Sequence, residues 1–158
     1  MVIKLSNLLI AGTLSLVPLY GVEYDGEKSY MIETKYDICV VAPQVDEAIA
    51  KGVKVIDADK AKGLYDQKAY FYDARDKRHY TKEHIKGAKQ VYFDLSKAEY
   101  IVAHLPSDKD EALVFYCYGE SCANSYEAAL AVRKLGYKNI YWLINGFSEW
   151  KEKGYPLE

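Results

Sequence analysis

The sequence predicts an α/β domain: a mostly parallel, five-stranded sheet with helices on both of its faces. Three observations carry this. From Gly52 onward, short runs rich in β-branched and aromatic residues alternate with stretches of helical pattern. The clearest run, Ala69 to Asp73, is almost continuously apolar, as in a strand buried on both faces. The 158 residues, 50% hydrophobic and 28% charged, suit one ordinary core and are too apolar for a disordered chain.

Ile38 to Ala42 is a candidate short strand, and Pro43 suits the first turn of a helix through Val45, Ala48 and Ile49 that stops at Gly52. Val53 to Ile56 is a strand, and Asp57 can cap a helix through Lys60, Leu64 and Tyr65. After the strand Ala69–Asp73, the polar connection Ala74–Gly87 holds a helical turn at Thr81–His84, and Ala88 to Phe93 is the next strand. Asp94 or Ser96 can cap a helix ending near Leu105, before Pro106. Ala112 to Tyr116 reads as the central strand. Ala123 to Leu135 is a helix with Ala128, Ala131, Val132 and Leu135 on its packed face, ended by Gly136. Ile140 to Leu143 is the last strand, and Asn145-Gly146 turns into a final helix through Trp150 and Lys153, stopped by Gly154. The sequence holds no internal repeat and no low-complexity segment.

A formal net charge of -2 leaves no basic footprint, which argues against nucleic acid as a partner. The 16 tyrosines are read as filling core edges and half-buried strand faces, with Trp142 and Trp150 as core and helix-packing residues. Near the start, Lys4 precedes an uncharged apolar run from Leu5 to Val17, too short to span a bilayer comfortably and shaped like a bacterial secretory signal. The expected organisation is a signal peptide over 1–21, an N-terminal extension over 22–51 and one domain over 52–158, in a periplasmic protein with no membrane span after cleavage. An oxidising compartment lets cysteines pair, and the three cysteines, Cys39, Cys117 and Cys122, leave at least one unpaired within the chain. No Cys-x-x-Cys occurs, and His79, His84 and His104 share no ligand spacing with the cysteines, so no zinc site is expected. No cofactor is expected.

The chemistry concentrates where the central strand ends. Ala112 to Tyr116 delivers Cys117 to a tight loop, Tyr118-Gly119-Glu120-Ser121-Cys122, from which a helix starts. In a parallel α/β sheet, ligands bind at the carboxyl ends of the strands. Loop N–H groups and a helix N-terminus aimed at one sulfur stabilise a thiolate and any anion beside it. Cys117 is the candidate nucleophile. Tyr118, Gly119, Glu120, Ser121 and Cys122 are the candidate substrate-binding residues, with Tyr118 and Ser121 on the rim and the N–H groups of Tyr118 through Cys122 facing the sulfur. Asn124 and Ser125 cap the helix or pack against the loop. Three roles are open to Cys122: resolving Cys117 as a disulfide, bridging Cys39, or packing as a small hydrophobe.

Three segments resemble the rhodanese, or sulfurtransferase, domain family. Asp73-Ala-Arg75 followed by Glu83-His84-Ile-Lys-Gly87-Ala88 is similar to the family's D-x-R and GHI-x-GA segment, with Glu83 where Gly is usual. The strand–Cys117–loop–helix unit is the second. The third is Gly136 to Pro156, similar to the family's G-aromatic ending with its Trp150 and Gly154, Asn145 replacing the first Gly of a Gly-Gly pair. The resemblance implies a single-domain sulfurtransferase in which Asp73 and Arg75 are structural and His84 packs rather than acting as a base. It also exposes a departure. Active single-domain members commonly carry C-x-x-G-x-R; here the Gly stands one place earlier and Cys122 replaces the Arg. The loop length suits a sulfur-sized ligand, and the related phosphatases have one residue more. Loss of the cation, with Glu120 adding an opposing charge, favours donors that need little sulfonate recognition.

The leading expectation is therefore a carrier that takes sulfane sulfur from thiosulfate, a polysulfide or a persulfide onto Cys117. It then passes that sulfur to a thiol, a thiol acceptor protein or cyanide. The alternatives are a thiol–disulfide protein using Cys117 and Cys122, and a non-catalytic binding module on the same scaffold. A phosphatase or arsenate reductase ranks last, because the loop is short and lacks Arg.

Overall fold

The computed structural model describes residues 42–91, 104–120 and 122–158. The leader, most of the extension with Cys39, the helix expected after Asp94 and Ser121 lie outside the described residues.

Five strands form one parallel sheet: β1 (Lys54–Ile56), β2 (Tyr70–Asp73), β3 (Lys89–Gln90), β4 (Ala112–Tyr116) and β5 (Asn139–Leu143), in the spatial order β1-β5-β4-β2-β3. The helices described are α1 (Ala42–Ala50), α2 (Ala58–Asp66), α3 (Lys77–Lys82), α4 (Ala123–Lys134) and α5 (Gly146–Glu152). None is long and apolar enough to cross a membrane.

Alternation along the strands divides the core into two layers. Leu113 and Phe115 of β4, Tyr72 of β2 and Ile140 and Trp142 of β5 join Val45 and Ala48 of α1 and Ala128, Ala129 and Val132 of α4. Val114 and Tyr116 of β4, Phe71 of β2 and Leu143 of β5 join Ala58 and Ala61 of α2 and Phe147 and Trp150 of α5. Both faces are covered, which is why the runs read as continuously apolar. Ring contacts tighten the layers: Tyr72 stacks on Phe115 at 5.0 Å, and Trp150 meets Tyr65, Phe71 and Tyr155 edge-on or tilted. The indole N–H of buried Trp142 donates to Ser125 Oγ at 3.1 Å.

Strand β4 is central, paired with β2 through Asp73↔Tyr116 and with β5 through Tyr116↔Leu143. The next residue, Cys117, therefore lies at the carboxyl edge in mid-sheet.

Several elements differ from expectation. Ala42 begins α1 rather than ending a strand. The connection after β2 holds a helix over Lys77–Lys82, not a turn at Thr81–His84: Asp76 adopts extended backbone and its side chain accepts from the His79 N–H. Of the run Ala88–Phe93, only Lys89–Gln90 pairs as a strand, and its last two residues lie outside the described residues. Leu135 is 44% exposed, because it is the C-cap of α4, past the last packed turn; Gly136 follows with φ +92°. Ser125, Tyr126 and Ala129 share the buried face with Ala128 and Val132 instead.

Candidate functional site

The loop after β4 is held from below by α5. The first N–H groups of a helix lack intrahelical partners, and Asn145 at the N-cap makes no side-chain capping bond. Loop carbonyls satisfy two of these groups instead. Phe147 N–H donates to Cys117 O at 2.8 Å, and Ser148 donates to Tyr118 O through its N–H at 3.2 Å and its hydroxyl at 2.8 Å. In a trans peptide the C=O and the following N–H point oppositely. The N–H groups of Tyr118 and Gly119 are thus turned away from α5. The approach requires Gly146. Its φ is +58°, and a Cβ there would stand 2.4 Å from Cys117 O, 2.8 Å from Tyr118 C and 2.9 Å from Gly119 N.

The far half of the loop is held differently. Cys122 Sγ is bonded to Cys117 Sγ, with the two Cα atoms 6.0 Å apart, inside the range a disulfide needs. Cys117 is fully buried, whereas Cys122 is partly exposed at the N-cap of α4, with no side-chain cap bond. The pairing left open among Cys39, Cys117 and Cys122 is thus 117–122 in this structure. The Cys122 N–H donates to Gly119 O at 3.1 Å, so it does not face the sulfur as expected. Glu120 is only 3% exposed.

Asp73 and Arg75 occupy the neighbouring strand end as a buried pair. Asp73 Oδ1 accepts from the Arg75 N–H at 2.9 Å; Arg75 Nη2 donates to Asp73 Oδ2 at 2.6 Å and to Glu83 O at 2.8 Å. The guanidinium lies 3.8 Å from the centre of the Phe147 ring and also faces Tyr116 and Tyr118. Burial opposes its charge, the Asp73 pair outweighs that, and the group is held cationic above its ordinary range. The pair therefore props the start of α5. His84 packs as expected: its ring stacks on Tyr80 at 3.9 Å, and Nδ1 lies 2.9 Å from Tyr80 O.

Two rim residues escaped the sequence reading. Asp76 Oδ2 accepts from the Tyr118 hydroxyl at 2.8 Å and lies 2.6 Å from His79 Nδ1, while the His79 ring meets Tyr118 edge-on at 4.8 Å. Burial and this hydrogen bond push the Tyr118 hydroxyl up to about 12. The Tyr118 hydroxyl and His79 hold the Asp76 carboxyl well below the usual carboxylate range. The signal was the Asp76-x-x-His79 spacing of a capped helix start. Asn124 and Ser125 do not cap α4: Asn124 Nδ2 donates to Ala74 O at 3.3 Å, and Ser125 accepts from Trp142. Among the described residues no group of His, Cys, Asp and Glu could hold a metal ion.

The family profile of the rhodanese-like domain matches residues 57–153. The thiosulfate sulfurtransferase GlpE of Pseudomonas fluorescens is 32% identical over 105 residues, covering 66% of this chain and 90% of the relative. The tRNA uridine(34) hydroxylase of Sodalis glossinidius is 27% identical over 144 residues, covering 85% of this chain but only 40% of the hydroxylase. A thiosulfate sulfurtransferase structure from Pseudomonas aeruginosa superposes with a TM-score of 0.53 at 25% identity, over 73% of this chain and 22% of that one. A Rhodopseudomonas palustris protein of unknown function, a possible tyrosine phosphatase, gives 0.58 at 23% identity over 79% and 98%, a likeness of fold alone. With that profile matched over more than half of its length, the chain belongs to the rhodanese-like domain family.

Proposed function

We propose that the protein carries sulfane sulfur as a persulfide on Cys117 and passes it to a thiol or cyanide acceptor. The observation that carries this reading is the seat of Cys117 at the end of the central strand, under a loop whose first two carbonyls are tied back to α5. The amides of Tyr118 and Gly119 are left to the other side, where they stabilise an anionic sulfur. The sulfurtransferase names of the GlpE relatives support the same chemistry.

Cys117 thiolate bonds to the sulfane sulfur of a donor, the donor's sulfur–sulfur bond breaks, and the remainder leaves with the electron pair: a thiolate from a persulfide, a shorter polysulfide from a polysulfide, sulfite from thiosulfate. Tyr118, Gly119, Glu120, Ser121 and Cys122 form the binding loop of this proposal. With Cys122 in place of the loop Arg, polysulfides and persulfides are the favoured donors over thiosulfate. We also propose export, on the leader-like run Leu5–Val17.

Intact-mass measurement tests the assignment. Reduced protein treated with polysulfide gains one sulfur, and Cys117→Ser gains none. Uptake by Cys117→Ser refutes it.

The Cys117–Cys122 bond favours a second reading, thiol–disulfide exchange without sulfur transfer. It predicts disulfide exchange with a thiol partner in protein that never takes up sulfur.

A further inference from the structure

This inference rests on the persulfide reading of Cys117. Where an arginine would bind an anionic donor, the loop carries a second sulfur, and that sulfur reaches Cys117 Sγ itself. The two cysteines are unequal. Cys117 is fully buried, and Cys122 keeps part of its surface. We propose that Cys122 is a resolving residue that expels the carried sulfur as sulfide, so that the protein works as a sulfane-sulfur reductase driven by an external dithiol.

The Cys122 thiolate attacks Sγ of the Cys117 persulfide. A bond forms between the two Sγ atoms, and the bond from Cys117 Sγ to the terminal sulfur breaks. That terminal sulfur leaves with the electron pair, takes a proton and departs as hydrosulfide. It is reduced by two electrons, and the two cysteines are oxidised to the disulfide. The bond present in the structure joins Cys122 to the inner sulfur, the same bond that this attack would form. Transfer of the terminal sulfur from one cysteine to the other would leave no such bond.

The unequal exposure sets the direction of the return step. A dithiol reductant meets Cys122, the more exposed of the two residues, and Cys117 leaves as thiolate, ready for the next donor. One thiol of the reductant forms a mixed disulfide with Cys122. Its second thiol displaces Cys122 and closes the reductant's own disulfide. Each cycle thus consumes one sulfane sulfur and one dithiol and yields one sulfide.

The test uses full-length protein carrying Cys39→Ser, so that any intrachain disulfide is the 117–122 pair. Reduced protein, freed of reductant, receives one equivalent of inorganic polysulfide; sulfide is trapped and the protein weighed. With Cys122 present, the protein ends two hydrogens lighter than its reduced form, with a burst of sulfide. Cys122→Ser holds one added sulfur and loses that burst until a thiol is supplied. The inference is overturned if protein with Cys122 holds its sulfur as long as Cys122→Ser does. The persulfide reading fails, separately, if Cys122→Ser never gains sulfur. Oxidised protein treated with glutathione should yield a mixed disulfide mapping to Cys122; one mapping to Cys117 overturns the direction of the return step.

Discussion

The two halves of the loop after β4 are held by different kinds of bond. Cys117 and Tyr118 are tied through their carbonyls to Phe147 and Ser148 at the start of α5, over a glycine that leaves no room for a side chain. Cys122 is tied by its sulfur, with one backbone bond to Gly119. The first attachment is indifferent to redox state, whereas the sulfur bond of the second exists only when oxidised. Cys117 can therefore keep its place while its bond to Cys122 opens and closes.

The largest expected effect tests what props the first half. Asp73→Ala leaves the Arg75 charge buried without its carboxylate and should cost about 3–5 kcal/mol of stability, read from urea midpoints. A cost near zero would mean that the pair does not support α5. Next, Gly146→Ala forces a Cβ into the loop backbone and should lower sulfur uptake by Cys117 roughly 100-fold. Gly136→Ala is its control: φ is also positive there, but nothing lies within 4 Å of the added Cβ. It should cost about 1 kcal/mol and leave uptake unchanged.

Reduction should then separate the halves directly. Opening a bridge between residues five apart in sequence should cost about 2 kcal/mol. Amide exchange should rise at Glu120 and Cys122, while Phe147 and Ser148 stay protected. Equal deprotection of all four would erase the distinction. The smallest effect is at the rim. Tyr118→Phe removes the hydrogen bond to Asp76. The Tyr118 hydroxyl is raised, so its contribution is present below about 10 and is lost as pH climbs toward about 12. The Asp76 carboxyl is lowered, so its contribution is present above the ordinary carboxylate range and is lost as pH falls below it. The stability difference between wild type and Tyr118→Phe should be widest near neutrality and narrow at both extremes. A difference flat across pH would show that the bond is not coupled to either ionisation.

Legibility followed the range of the interactions. Ala112–Tyr116 was readable to the residue, because an apolar run ending at a polar loop is local information. So was the Asp57 cap. Leu135 misled because its spacing matched the helical face while its backbone had already left the helix. The helix at Lys77–Lys82 was hidden in a charged stretch with no apolar face, and only the capping aspartate marked it.

Periodicity, turn residues and the strand–cysteine–loop–helix order were enough to assign the α/β class and to single out Cys117, since each depends on neighbours in sequence. Strand order, the joining of Cys122 to Cys117 and the packing of Gly146 under the loop were decided only in three dimensions. They depend on how segments meet in space, including strands as distant along the chain as β1 and β5, and the folded sheet sets those distances.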